Sequence, residues 1–427
     1  MYLFIYKVVS IMVLPLFLPS FVIYTFIFGK KTKGFLHHIG WTPFPNDRGS
    51  SFSKTVWFFA LSVGEIGSIV PLLKTLREQQ PDIRINVSVT TEAGFETAKR
   101  SLNFVENIFF HPLDFWPFWE RALRRINPDL FILTETGFWP GQLLLMKKLK
   151  IPTFLFQGRI SEKSSQTYKK LPFISKDMFN SFKILCVQSK DGELKLKSLG
   201  ISQEKIKVLG NSKFDGLETV SDERWEDLLS QFKINPSAPV WVAGSTHEGE
   251  EAVILDAFSQ LQEKFPDLTL ILAPRRLERL QEVISEIESK NLKFIQKSLL
   301  SQQDGQPIIL LDTMGELADI YSIATVAFVG KSLFQPGGGH SLAEPAAQGV
   351  PACHGPYMEY QRDMAESFGK IGASIEVQGL KDLEKTIEGL LQDPGRRKDL
   401  GEKAQSLVQE SRGATQKMVE LILEEIN

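Results

Sequence analysis

Cysteine is scarce: the 427 residues hold two, Cys186 and Cys353, each embedded in an apolar, strand-like run. Two thiols so placed exclude a disulfide framework and favour a reduced, cytosolic setting. Metal-binding patterns are missing too. The six histidines, at 37, 38, 111, 247, 340 and 354, include no HxH or HExxH spacing. No Asp-x-Asp occurs either, the usual carboxylate pair for a metal that holds a nucleotide diphosphate, so a metal-free mechanism without a cofactor is the simpler expectation. An excess of one charge is also absent. Lys and Arg number 49 and Asp and Glu 51, a net −2, which gives no electrostatic case for a nucleic-acid partner, and no RNA- or DNA-reading motif occurs.

What is present is an ordinary globular composition, 43% hydrophobic and 23% charged, in a chain longer than one hydrophobic core usually serves. Two domains are expected. Residues 3 to 28 form one long apolar run with Lys7 its only charge and with Pro15 and Pro19 inside it. The run has the length of a membrane-anchoring helix, for which about 20 apolar residues suffice, and no small-x-small cleavage site follows it. Lys30, Lys31, Lys33, His37, His38 and Arg48 come next, which by the positive-inside rule places the rest of the chain on the cytoplasmic face. A cleaved signal peptide is the rival reading, and an interfacial or re-entrant insertion is a third.

Beyond the anchor, apolar runs of strand length alternate with helical stretches, the pattern of parallel, doubly wound α/β sheets. Val56 to Leu61 is the first strand, Ser62-Val63-Gly64-Glu65 the turn after it, and Ile69 to Leu76 a helix. In such sheets ligands bind beyond the carboxyl ends of the strands, so Glu65 stands at the mouth of a site. On this stretch alone it reads first as a helix cap; kept ionised by the helix dipole it is also a candidate general base. Later strand ends deliver Thr134 to Pro140 and Gln157 to Ser161. The turn-rich segment 210–216 breaks the pattern and sets the boundary between about 205 and 222. The expected division is an anchor over 1–30, a Rossmann-like domain over 31–212, and a second over 213–427 that includes the C-terminal helices.

The second half repeats the scheme. Its strand ends deliver Gly244 to Glu248, with Ser245 and Glu248 at capping-box spacing; Pro274, Arg275 and Arg276; Asp312 to Glu316; Gly330, Lys331 and Ser332; and Gly337 to Pro345. A glycine run lets backbone N–H groups approach an anion, and the helix expected after it offers its positive end to phosphate. Glu344 suits ribose hydroxyls, and an arginine fork matches phosphate. Ser245, Thr246, His247, Ser332 and His340 are further candidate contacts. A nucleotide site in the second half and a carboxylate in the first describe the GT-B architecture of glycosyltransferases, two Rossmann-like domains facing a cleft.

The segments SVGE (62–65), TTEAG (90–94), GRISEKS (158–164), GNSKFD (210–215), AGSTHEGEE (243–251), APRRLER (273–279), DTMGEL (312–317) and GGGHSLAEPAA (337–347) resemble, in order, those of the transferases of 3-deoxy-D-manno-octulosonic acid (Kdo). The resemblance implies CMP-Kdo as donor, a lipid A precursor of the lipid IVA type as acceptor, inversion without a metal, and a place at the inner membrane in lipopolysaccharide biosynthesis. It implies Glu65 as base and Glu135 and Lys213 as transition-state stabilisers. Pro274, Arg275, Met314, Gly315, Glu316, Ser341, Leu342, Ala343 and Glu344 match the CMP-contacting segments. Departures from the family pattern fall at Phe59 (usually His), Gly137 (Glu), Lys331 (Gly), Ser341 (Asn), and Tyr360 with Gln361 (Asn-Phe). A UDP-sugar epimerase of the same fold and a Kdo-transferase-like scaffold without activity are the alternatives.

Overall fold

The computed structural model describes residues 2–27, 35–41, 52–300 and 306–427; Lys30, Lys31, Lys33 and Arg48 lie outside the described residues. Two compact units emerge, one of Met1–Asp215 with Ser411–Asn427, the other of Gly216–Glu410.

The first unit is built on seven parallel strands: β1 (Lys54–Phe59), β2 (Ile83–Val89), β3 (Asn107–Phe110), β4 (Leu130–Thr134), β5 (Thr153–Gly158), β6 (Ile184–Val187) and β7 (Ile206–Val208). Their spatial order is β3-β2-β1-β4-β5-β6-β7, so the winding direction reverses between β1 and β4. Helices cover both faces, which is why β1 reads as a continuous apolar run rather than an alternating one. Val56 and Phe58 enter one core and Trp57 and Phe59 the other, all four fully buried.

The second unit carries β8 (Val240–Thr246), β9 (Thr269–Pro274), β10 (Phe294–Gln296), β11 (Ile308–Leu310), β12 (Val326–Val329), β13 (Ala352–His354) and β14 (Ser374–Glu376), also all parallel. The order β10-β11-β9-β8-β12-β13-β14 reverses between β8 and β12. The outermost strands β10 and β14 escape the sequence reading. Each has three residues, with Gln296, Ser374 and Glu376 among them, too short and too polar to register as a buried run.

Two corrections concern domain membership. The C-terminal helix Ala414–Ile426 belongs to the first unit, not the second. Met418, Val419, Ile422 and Ile426 share a core with Ile66, Ile69 and Leu73 of the helix Val63–Gln79. Asp215 fixes its start: its carboxylate accepts the N–H groups of Gly413 at 2.7 Å and Thr415 at 2.7 Å. Lys213, expected at the head of the second domain, therefore lies in the first unit. The helix Ala343–Ala347 after the glycine run is a single five-residue turn.

The N-terminal helix Tyr2–Ile27 contains Pro15 and Pro19 and packs on the first unit: Tyr6 donates to Asp114 at 3.1 Å, and the rings of Phe17 and Phe115 lie 5.0 Å apart. Phe4, Met12 and Leu16 remain 70 to 76% exposed. Among the described residues no helix is long and apolar enough to cross a membrane.

Candidate active site

Both reversals of strand order open a crevice beyond the strand ends, and the chemistry-bearing residues of each unit collect there. In the first unit Glu65 follows β1 and Glu135 follows β4. Ser62 caps the helix Val63–Gln79, its hydroxyl accepting the Glu65 N–H at 3.4 Å. The Glu65 carboxylate reaches back to the Leu61 N–H at 2.6 Å, ahead of the cap, so Oε2 ties the preceding loop to the helix while Ser62 does the capping. Oε1 receives the Thr136 hydroxyl at 3.2 Å. The ionised state expected from the helix dipole is overridden by burial: Glu65 is 5% exposed, and its carboxyl is pushed up from the usual 4.5 to about 8. Desolvation is the main cause; the Leu61 N–H opposes it, the charge of Glu135 adds to it, and Thr136 and Arg159 lower it.

Glu135 sits in the left-handed region, φ 51°, uncommon for a residue with a side chain. Its backbone is held on both sides, its N–H on Phe156 O at 2.8 Å and its carbonyl under the Arg159 N–H at 2.9 Å. Its carboxylate accepts from Ser68 Oγ at 2.9 Å and from Arg159 at 3.1 Å. The Ser68 carbonyl accepts the Ser212 hydroxyl at 3.2 Å, tying the turn Ser212–Phe214 to the same helix. Lys213, in that turn, has an exposed side chain and an N–H bonded to Asn211 Oδ1 at 3.0 Å. Ser68 thus joins the three elements that carry Glu65, Glu135 and Lys213. Sequence reasoning missed it, although it stands one helical turn after Glu65, on the same face.

Phe59 stacks on His111 with centroids 3.5 Å apart and planes 11° from parallel. Gly137 turns at φ 88°, with room beside it closed by Phe59 and Leu61.

In the second unit the residues after β8 and β12 are joined by Glu250, another residue that sequence reasoning missed. Only 1% exposed, it accepts backbone N–H groups from His247 (2.9 Å), Lys331 (2.7 Å), Ser332 (2.7 Å) and Leu333 (2.9 Å). The expected Ser245–Glu248 capping box is not formed. The helix Glu250–Lys264 starts later, behind Gly249, without a side-chain cap. Lys331 is held at φ 60° and Ser245 at φ 56°.

His247 and His340 meet through their Nε2 atoms at 3.2 Å, so one of the two donates. Both are pushed down to about 4, by burial first; Lys331 and Arg275 act on each, and Arg276 and Arg279 also act on His247. Lys331 lies 4.8 Å above the ring of Tyr360. Gln361 closes the short turn Glu359–Gln361 that carries Tyr360. The Arg275 N–H bonds the Thr246 carbonyl at 3.0 Å, and its charge opposes the burial that raises the Glu344 carboxyl. Cationic and imidazole groups therefore gather around one reversal point, an arrangement suited to an anion.

Other expected contacts are committed elsewhere. The Ser332 hydroxyl donates to Val329 O at 2.7 Å and accepts the Gly355 N–H at 2.8 Å. Thr246 donates to Glu251 at 3.0 Å, and Glu251 binds Arg279 at 3.0 Å. Glu316 pairs with Lys297 at 2.7 Å. Pro274 closes β9, Met314 is exposed, Gly315 turns at φ 90°, and Leu342 and Ala343 are buried, with the Leu342 carbonyl taken by the Ala346 N–H. Ser341 Oγ accepts the Ala343 N–H at 3.3 Å. Among the described residues no three His, Cys, Asp or Glu side chains gather in a metal-ligand set.

A family model described as 3-deoxy-D-manno-octulosonic-acid transferase (kdotransferase) matches residues 33–216. The 3-deoxy-D-manno-octulosonic acid transferase of Haemophilus influenzae is 31% identical over 375 residues, 86% of this chain and 86% of that one. The chain belongs to the Kdo transferase family. The transferase of the same name from Chlamydia muridarum is 32% identical over 362 residues, 83% of this chain and 82% of that one. Among solved structures, UDP-GlcNAc 2-epimerase from Neisseria meningitidis matches 87% of this chain and 100% of its own with a TM-score of 0.54 at 14% identity, a likeness of fold alone. As a Kdo transferase the protein is a glycosyltransferase.

Proposed function

We propose that the enzyme moves Kdo from CMP-Kdo to a lipid A precursor of the lipid IVA type, with inversion and without a metal. The observation that carries this reading is the buried Glu65, bonded to Thr136 beside Glu135 and Arg159 at the strand reversal. As an acceptor hydroxyl oxygen bonds to the anomeric carbon of Kdo, the bond from that carbon to the CMP phosphate oxygen breaks on the opposite side. The hydroxyl proton passes to Glu65, and help of this kind contributes about 10² to 10⁴-fold. Glu135, with Arg159 at 3.1 Å, and Lys213 meet charge that develops at the reacting centre. The departing phosphate is met by Arg275 and Lys331 and by one uncharged imidazole N–H, that of whichever of His247 and His340 does not donate to the other, an electrostatic set needing no divalent ion.

The N-terminal helix holds this site at the cytoplasmic face of the inner membrane, where a diphosphorylated lipid acceptor lies. Its support is the outward row Phe4, Ile11, Met12 and Leu16, 58 to 76% exposed on a helix whose other side packs on the first unit. That arrangement favours lying in the interface over spanning it. The test is transfer by purified protein from CMP-Kdo to a tetraacylated lipid A precursor, read by mass spectrometry. One or more added Kdo masses are expected. Bound CMP without product overturns the acceptor, and absence of CMP binding overturns the donor.

A further inference from the structure

The side of the first unit's sheet that faces Phe59 holds a polar chain inside an aromatic box. His111 is 1% exposed and surrounded by Trp57, Phe59, Trp119 and Trp139, with centroids 3.5 to 5.7 Å away. Four contacts run through it. Trp57 Nε1 reaches Ser88 Oγ at 2.8 Å, Ser88 Oγ reaches His111 Nδ1 at 2.8 Å, and His111 Nε2 reaches Gln142 Oε1 at 2.8 Å. Gln142 Nε2 then reaches the carbonyl of Gly137 at 3.1 Å.

Valence fixes the direction of every bond. The Gly137 carbonyl can only accept, so the amide atom facing it is the Gln142 nitrogen, and the Gln142 oxygen faces His111. An amide oxygen can only accept, so His111 carries its proton on Nε2. Burial keeps the ring neutral, pushed down to about 3; the Gln142 bond opposes this and His38 adds to it. Nδ1 is therefore bare and takes the Ser88 proton, whose longer alternative is Phe58 O at 3.3 Å. The indole N–H of Trp57 donates to the oxygen of Ser88. All four donors point one way, toward Gly137.

A box of this kind filled with apolar side chains would cost nothing in unmet hydrogen bonds, so Ser88, His111 and Gln142 are not required for burial itself. What they supply is an amide of fixed orientation on one carbonyl. That carbonyl follows directly on Glu135, which stands at φ 51°, and Thr136, which donates to Glu65. We propose that Gln142 is a positioning residue for transfer, its amide oriented from Trp57 through Ser88 and His111 so that Gly137 holds Glu135 and Thr136 against Glu65. The proposal rests on the transferase reading for its kinetic arm alone.

The charged groups facing Glu65 are Glu135 and Arg159, and Thr136 is its hydroxyl partner. Releasing Gly137 loosens Thr136 from the ionised carboxylate, so the Glu65 titration moves to higher pH. The experiment compares the full chain with Gln142→Met, which keeps length and loses both bonds, and with Ser88→Ala, which interrupts the chain upstream. Nitrogen NMR of labelled histidine is expected to show His111 neutral with Nε2 protonated; a cationic ring or a proton on Nδ1 overturns the chain. Carbon NMR of the carboxylates is expected to show Glu65 titrating higher in Gln142→Met, and an unmoved titration overturns the positioning role. In turnover, Gln142→Met is expected to lose at least tenfold in kcat with donor KM within twofold. Adding Thr136→Val to it should then cost less than in the native background, whereas full additivity overturns the coupling. CMP binding by calorimetry and an unchanged unfolding midpoint separate these effects from misfolding. A native chain that transfers no Kdo would sink the transferase reading while both NMR arms still judged the chain.

Discussion

The sharpest test of the first unit is the pH dependence of Glu65. A general base works ionised, and burial raises this carboxyl from 4.5 to about 8. About a tenth of it is then ionised at pH 7 and about nine tenths at pH 9, so kcat/KM should rise about tenfold over that interval. Glu65→Gln should lower the rate by about 10² to 10⁴-fold and leave it flat across the same range. Glu135→Gln removes a negative neighbour, so whatever rate remains should reach its half-point at lower pH. Stability provides a second readout of opposite sign. Between pH 4.5 and about 8 the folded state keeps a proton on Glu65 that the unfolded chain has released, so this residue subtracts stability as pH rises through that window. Glu65→Gln, compared with the native enzyme by thermal unfolding, should gain stability at pH 9 relative to pH 5, by an amount on the order of a few kcal/mol. A native rate that is flat from pH 6 to 9, with no such gain in the variant, would refute the buried base.

Other perturbations separate the parts of the site. Lys213→Ala should lower kcat more than it weakens donor binding, since its exposed ammonium is assigned to the transition state; single-turnover kinetics beside calorimetry with CMP would show the split. Glu250→Ala strands four N–H groups on two loops at once, those of Ser332 and Leu333 buried, so a fall in unfolding midpoint and at least a tenfold rise in donor KM are expected together. Lys331→Met should raise donor KM at unchanged unfolding midpoint and reduce its dependence on salt, measured from low to physiological ionic strength.

The strand ends were legible because a buried parallel strand is a short apolar run, and the residues just past its carboxyl end must face the crevice. Glu65, Glu135 and Arg275 stand at strand ends marked in this way, whereas His340 lies well beyond β12, after the glycine run. Ser68 and Glu250 were not, because their roles depend on which loops come together. Glu250 lies two residues after Glu248, the residue with capping-box spacing, and only the meeting of the loops after β8 and β12 shows it taking the N–H groups of Lys331, Ser332 and Leu333. The C-terminal helix failed for a related reason. Its apolar face is plain in the sequence, but the partner face, on the helix Val63–Gln79, is hundreds of residues away.

The two units share a device that links fold to chemistry. At each reversal of strand order a residue with a side chain stands in the left-handed region, Glu135 after β4 and Lys331 after β12. Such backbone costs of order 1–3 kcal/mol and persists only where neighbours over-determine it. Around Glu135 those neighbours are Phe156 O, the Arg159 N–H and the Ser68 hydroxyl. Lys331 is held by the Glu250 carboxylate on its N–H and by the Gly339 N–H on its carbonyl at 2.8 Å. A glycine would relax both turns and lose both charges. The strain is thus offset by bonds from outside the turn, and what it yields is one carboxylate and one ammonium fixed at the mouths of two crevices.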